Sequence, residues 1–249
     1  MIGLGLISLF FMVPKSNQAI PIEPSVEQPS AEDENSDPVV SKIIVIDPGH
    51  GPLVNDDVEP VAPGSTIMKR KYGMGAVGNF TGTLEREVNL DVSLQVYDLL
   101  KAQGFTVILT RSDNTTILSN IDRVNIANDL NADLMIRIHS DSSDDTSVEG
   151  ASALVPGDVG YAQPIMDISR HYADIILNTV LDEVGMKQHG DGIFERTDQT
   201  GFNWSKVPIL TLEMGFLSNE VEDHLLATED YRTQLAKAIA HGIENCFTD

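Results

Sequence analysis

From Val39 onward the chain alternates between two hydrophobic periods. "KIIVID" (residues 42–47) is an unbroken apolar run of strand length and predicts a buried first strand. "EVNLDVSLQVYDLLKAQG" (87–104) sets Val88, Val92, Val96 and Leu99 at helical spacing and closes on Gly104, a C-terminal stop. "FTVILT" (105–110) predicts a second strand. "TTILSNIDRVNIANDL" (115–130) predicts an amphipathic helix through Leu118, Ile121, Val124 and Ile126. "ADLMIRIHS" (132–140) and "GASALVP" (150–156) follow as the third and fourth strands. A long helix spans "PIMDISRHYADIILNTVLDEVG" (164–185), "VPILTLEMGF" (207–216) is another buried strand, and two helices end the chain. This alternation predicts an α/β fold: a single domain with a mostly parallel twisted sheet of about six strands flanked by helices.

Two stretches interrupt the rhythm. Residues 51–84 carry Gly64, Gly73, Gly75, Gly78 and Gly82 and read as a long irregular loop. It is either one wall of a site that begins at the preceding turn or a surface insertion. "GIFERTDQTGFNWSK" (192–206) reads as a second loop, with Arg196, Asn203 and Trp204 as its polar and aromatic candidates.

Before Val39 the pattern is of another kind. Residues 1–14 contain the apolar run "IGLGLISLFFMV", which is short for a membrane span and reads as a signal-like or anchor segment. Residues 15–38 are rich in Pro, Ser, Glu and Asp without periodicity, the composition of a disordered acidic linker. The expected location is extracytoplasmic, with the folded domain covering 39–249 as a monomer.

Composition narrows the function. The 249 residues are 41% hydrophobic, enough for a real core, and carry a formal charge of −22. Phosphate binding needs a basic face, so nucleic acid is not an expected partner. The acidity favours solubility and a neutral or locally basic substrate over a polyanion. Cys246 is the one cysteine, so neither an intrachain disulfide nor a cysteine metal cluster is available; it reads as an apolar filler on the last helix.

Candidate chemistry lies at the strand ends. In α/β sheets, ligands bind beyond the carboxyl ends of the strands. His50, His139 and Glu213 each sit at the exit of an apolar strand and could converge. Glu85, taken alone, is a first-turn helix acid favoured by the helix dipole, as Glu87 is. Two histidines and a carboxylate with an open fourth position would make a catalytic zinc site. His171, His189, His224 and His241 lack matching partners.

Four stretches, "IDPGHG" (46–51), "EREVNLDV" (85–92), "IHSD" (138–141) and "LEMGFLSN" (212–219), resemble the zinc-dependent N-acetylmuramoyl-L-alanine amidases of amidase type 3. "ILTRSDN", "RVNIAN" and "YRTQLAKAIAHGI" add to a resemblance that covers about residues 42–247. It implies that His50, Glu85 and His139 hold Zn2+ and that Glu213 is the catalytic glutamate. Water activated by zinc would then cleave the amide between N-acetylmuramic acid and L-alanine of peptidoglycan. It also implies that Arg196 binds a substrate carboxylate. The chain departs from the family pattern at Pro52, in the length of the loop before Glu85, and at Arg137, for which strand alternation nominates Asp47 as partner. A zinc peptidase acting within the stem, or a non-catalytic wall-binding module, are the alternatives. The filled set of four positions speaks against the module.

Overall fold

The computed structural model describes residues 41–52 and 54–248. Six strands form the central sheet: β1 (Ile43–Pro48), β4 (Thr106–Leu109), β5 (Leu134–Asp141), β6 (Ala151–Pro156), β7 (Gln188–Arg196) and β8 (Ile209–Phe216). Their spatial order is β4-β1-β5-β8-β6-β7. Every neighbouring pair is parallel except β6–β8, which is antiparallel. The single α/β domain with a mostly parallel six-stranded sheet therefore stands as the hydrophobic pattern predicts. The segments expected outside it, 1–14 and 15–38, lie outside the described residues.

Alternate residues of the central strands face two separate cores. Ile44, Ile46, Leu134, Ile136, Ile138, Leu210 and Leu212 point to one side and are fully buried. They meet α1 (Glu85–Ala102), α3 (Met166–Val184) and α6 (Glu229–Asn245). Val45, Met135 and Ile209 point to the other side, toward α2 (Asn120–Leu130) and α4 (Thr200–Trp204). Each fully buried aliphatic side chain is worth about 1.5–3 kcal/mol. A one-residue slip would turn a whole set to the wrong face, so register is strongly specified.

Three details differ from the pattern reading. The buried stripe of α1 is Val88, Val92, Val96 and Leu100, with Leu99 only at its margin, because four-residue steps keep one face over 18 residues. Helix α2 starts at Asn120 rather than Thr115. Ser119 caps it reciprocally: its hydroxyl accepts from the Asp122 amide (3.1 Å) and the Asp122 carboxylate accepts from the Ser119 amide (3.0 Å). Thr115–Leu118 is thereby left as loop.

The stretch 192–206 is not a loop throughout. Its first part belongs to edge strand β7 and its second part forms α4. Gly190 and Gly192 at positive φ and a register shift against β6 erase the alternation that would have announced the strand. The stretch 51–84 also holds more structure than its glycines suggest. An antiparallel hairpin, β2 (Val58–Pro60) with β3 (Met68–Arg70), is pinned by Trp204, which donates Nε1–H to the Pro60 carbonyl (2.9 Å). Asp223 on α5 (Glu220–Leu226) fixes the far end, accepting from the Phe80 and Thr81 amides at 2.8 and 2.9 Å.

Candidate metal centre

The register of the sheet stacks its inner polar residues in rows on the α2 side. Val45, Met135 and Ile209 form an apolar floor. One row toward the strand exits lie Asp47, Arg137, Thr211 and Leu154. The next row sets His139 beside Glu213 and Glu213 beside Ser152. Adjacent strands are ~4.8 Å apart, so His139 and Glu213 are brought together by pairing alone.

His50 arrives from the turn after β1. Its φ of 63° lies in the left-handed region, which a non-glycine residue adopts at a cost of about 1–3 kcal/mol. The surroundings impose it. Arg123 on α2 donates to the His50 carbonyl (2.7 Å) and to the Pro48 carbonyl (3.0 Å). Arg111 donates to the Pro48 and Gly49 carbonyls at 2.9 and 2.8 Å. Beneath them the fully buried Asp47 accepts from Arg123 (2.6 Å), Arg137 (3.0 Å) and the Thr110 hydroxyl (2.6 Å). Burial alone would raise the Asp47 carboxyl, but the two guanidiniums outweigh it and hold it well below the usual carboxylate range. The Arg137–Asp47 pair expected from strand alternation is present; the second arginine on the same carboxylate is not visible from alternation.

Glu85 comes from the first turn of α1, as its sequence position suggests, but it faces inward and is buried. Its Oε1 lies 3.0 Å from His50 Nε2 and 3.1 Å from His139 Nδ1. The same oxygen accepts from Asn89 (3.1 Å) and the Ser140 amide (3.2 Å), and Oε2 accepts from the Ala76 amide (2.7 Å). Burial works against the charge, yet the two imidazoles outweigh it and keep this carboxyl well below its ordinary range. Burial also lowers His139 to about 4, so its imidazole stays neutral, the form a metal ligand requires.

Donor atoms of His50, Glu85 and His139 all lie within 4.8 Å of one another. Their hydrogen bonding points to a cation. His50 Nδ1 sits 3.0 Å from the Gly73 carbonyl and donates there, so in the neutral form a metal ligand requires, the free lone pair belongs to Nε2, 3.0 Å from Glu85 Oε1. His139 Nε2 is buried without a partner. Two imidazoles and one carboxylate are the donors that divalent zinc accepts, whereas magnesium and calcium favour all-oxygen sets.

Glycine makes the closeness possible. A Cβ on Gly49 would stand 2.4–2.6 Å from three atoms of the His139 ring. Gly49→Ala is therefore expected to displace His139 and to lower metal affinity by at least about 10–100-fold, the scale for disturbing a ligand's support. Competition with a chromogenic chelator measures it; unchanged affinity would show that the ring has room to move.

Glu213 faces the triad from β8. It is buried, and its Oε2 has no hydrogen-bond partner. Burial, followed by the charges of Glu85 and Asp141, pushes this carboxyl well above its ordinary range, against the opposing pull of Arg137 and Arg196. An acid with raised proton affinity costs stability where the unfolded chain ionises and the folded chain does not. Without metal, stability should fall as pH rises above about 4.3, the free-glutamate value, toward the folded pKa. Glu213→Gln should flatten that limb, a change thermal melts from pH 4 to 8 would register.

His50, His139 and Glu213 sit where two concavities meet, one of about 530 Å³ and one of about 340 Å³. Arg196 stands at the end of β7 with Nε and Nη2 bound by Asp198 (2.9 and 3.1 Å). The remaining four histidines stand apart from the triad: His171 lies against the Tyr172 ring, His241 contacts Glu183, His224 its own helix and His189 the Phe216 ring.

An α/β sheet that gathers a His–Glu–His donor set able to hold a metal ion, with a further carboxyl alongside, is consistent with a metal-assisted hydrolase. Residues 44–245 match the family model described as N-acetylmuramoyl-L-alanine amidase, and the chain belongs to that family. It is 30% identical over 205 residues to N-acetylmuramoyl-L-alanine amidase LytC of Bacillus subtilis, an alignment covering 82% of this chain and 35% of LytC. The chain thus spans about a third of that relative. Among solved structures, the catalytic domain of CwlV, an N-acetylmuramoyl-L-alanine amidase from Bacillus (Paenibacillus) polymyxa, is 28% identical with a TM-score of 0.65, covering 82% of this chain and 97% of that one. Ami1 from Mycobacterium smegmatis shares the fold with a TM-score of 0.75 at 23% identity, covering 82% and 96%.

Proposed function

We propose that the chain is a zinc-dependent peptidoglycan amidase that hydrolyses the bond between N-acetylmuramic acid and L-alanine, outside the cytoplasm. The observation that carries this reading is the His50–Glu85–His139 donor set with Glu213 beside it. Family membership names the bond. Among the described residues no helix is long and apolar enough to cross a membrane.

An unactivated amide resists water because water is a weak nucleophile and the amine a poor leaving group. Zinc held by His50, Glu85 and His139 would supply a lowered water pKa and a polarised carbonyl. Glu213 accepts the proton as the water oxygen bonds to the lactyl carbonyl carbon. It then delivers that proton to the alanine nitrogen as the C–N bond breaks. Burial raises its proton affinity and a bound dication would oppose that rise, and a carboxylate balanced between the two can both accept and return the proton. Asn89 and the Ser140 amide hold Glu85 in place, and Arg123 holds the His50 turn. Arg196, which lines neither concavity and holds Asp198, would have to turn toward the cleft to meet a substrate carboxylate in the same reading.

Purified sacculi provide the test. The amidase reading expects new amino-terminal L-alanine and intact glycan strands. New amino termini at other stem residues would identify a peptidase, and no release by zinc-loaded protein would dismiss both.

A further inference from the structure

The row of the sheet beneath His139 and Glu213 holds a cation and a hydroxyl with unused donors. Three arginines are buried near the centre. Arg111 and Arg123 commit every guanidinium nitrogen to carbonyl or carboxyl oxygens. Arg137 does not. Its Nε donates to Asp47, its Nη2 reaches Asn120 only at 3.5 Å, and among the described residues Nη1 has no partner. Beside it in register stands Thr211, 3% exposed, whose Oγ1 is buried and unpartnered. Both residues line the cleft of about 530 Å³.

The charge balance points the same way. Asp47 is one carboxylate shared by two guanidiniums, Arg123 and Arg137. Glu85 and Glu213 serve the metal and the proton transfer in the proposed reading, Asp56 is taken up by Arg70 (3.2 Å), and Glu59 by Asn120 (2.8 Å). Arg70 and Lys71 add positive charge to the same wall. The cleft is locally cationic in a chain of net charge −22. A buried charge without a full partner is costly, and a ligand carboxylate would relieve that cost.

Distance selects the ligand group. Arg137 and Thr211 lie two residues before His139 and Glu213 along their strands, about 6.6 Å. In an extended peptide the second residue lies ~7 Å from the bond that precedes the first. We infer that Arg137 and Thr211 form a carboxylate subsite that takes the free α-carboxylate of the second stem residue, an inference that rests on the amidase reading. Nη1 and the Thr211 hydroxyl donate to its two oxygens. An α-carboxamide in that place offers one acceptor and puts an NH2 against a donor.

Two substrates that differ only at this group make the test: N-acetylmuramoyl-L-Ala-D-Glu and its α-amide, N-acetylmuramoyl-L-Ala-D-isoglutamine. Zinc-loaded protein should favour the acid in kcat/KM by about ten- to hundredfold, the scale of charge-assisted hydrogen bonds. Arg137→Met should bring the ratio to about one, and Thr211→Val should reduce it severalfold. Thr211→Val also carries the test should Arg137→Met fail to fold. A purely structural Arg137 would lower both substrates alike and leave the ratio unchanged, which overturns the inference, as does equal use of both by the parent protein. Should the parent cleave neither, the amidase reading fails. Calorimetric binding of L-Ala-D-Glu against L-Ala-D-isoglutamine then reads the subsite alone: preference for the acid that disappears in Arg137→Met supports it, and equal affinity ends it.

Discussion

Glu213→Gln should bind zinc as the parent protein does and lose about 10²–10⁴-fold in kcat on muropeptides, the contribution of a positioned general base. The change is isosteric and removes only the proton acceptor. The metal donors are His50, Glu85 and His139, so metal content should not move. Glu213 Oε2 has no protein partner to lose, so the fold should tolerate the amide. Metal content by elemental analysis and turnover on the same preparation separate the two effects. Turnover retained within about threefold would remove Glu213 from the proton transfer.

The second large effect concerns stability. Asp47→Asn leaves Arg123 and Arg137 buried around a neutral amide. Breaking a buried ion pair from one side costs about 3–5 kcal/mol, against a total stability of roughly 5–15 kcal/mol for a typical domain. The consequence extends to the centre, because Arg123 also grips the carbonyls of Pro48 and His50. Urea denaturation of the metal-free protein should show the loss, and zinc affinity should fall with it. The acid limb carries the same signature. The folded chain keeps Asp47 ionised where the unfolded chain, with an ordinary value near 3.9, protonates it. Stability from this group is full above about pH 4 and drains away below it, and Asp47→Asn should lack that component. A loss under about 1 kcal/mol would show that the network is not a keystone of the strand exit.

Much of this was legible in the sequence, for reasons specific to particular elements. β1, β5 and β8 are buried on both faces and therefore read as continuous apolar runs. β7 sits at the sheet edge, half exposed and broken by Gly190 and Gly192, and leaves no such run. His50, His139 and Glu213 could be nominated because each follows an apolar strand. Glu85 could not, since a first-turn acid and an inward ligand look alike in one dimension; only the resemblance separated it from Glu87. Arg111 and Arg123 lay in "ILTRSDN" and "RVNIAN", stretches noted without a role. Position alone could not have found them: on α1 the exposed Glu87 also directly precedes a buried valine, Val88, because consecutive helix residues do not share a face. Net charge is a coarse guide in a similar way. A total of −22 suggested a preference for neutral or basic substrates, while the cleft beside the triad is lined by Arg70, Lys71, Arg123 and Arg137. Composition averages over the surface, and recognition depends on one wall of it.

The most direct check is the zinc content per chain of purified protein alongside His50→Ala, Glu85→Ala and His139→Ala, each loaded and desalted identically. One equivalent in the parent protein and a small fraction of that in all three variants is the expected result. A parent chain that retains no zinc, or variants that each retain a full equivalent, would contradict a centre built from these three side chains.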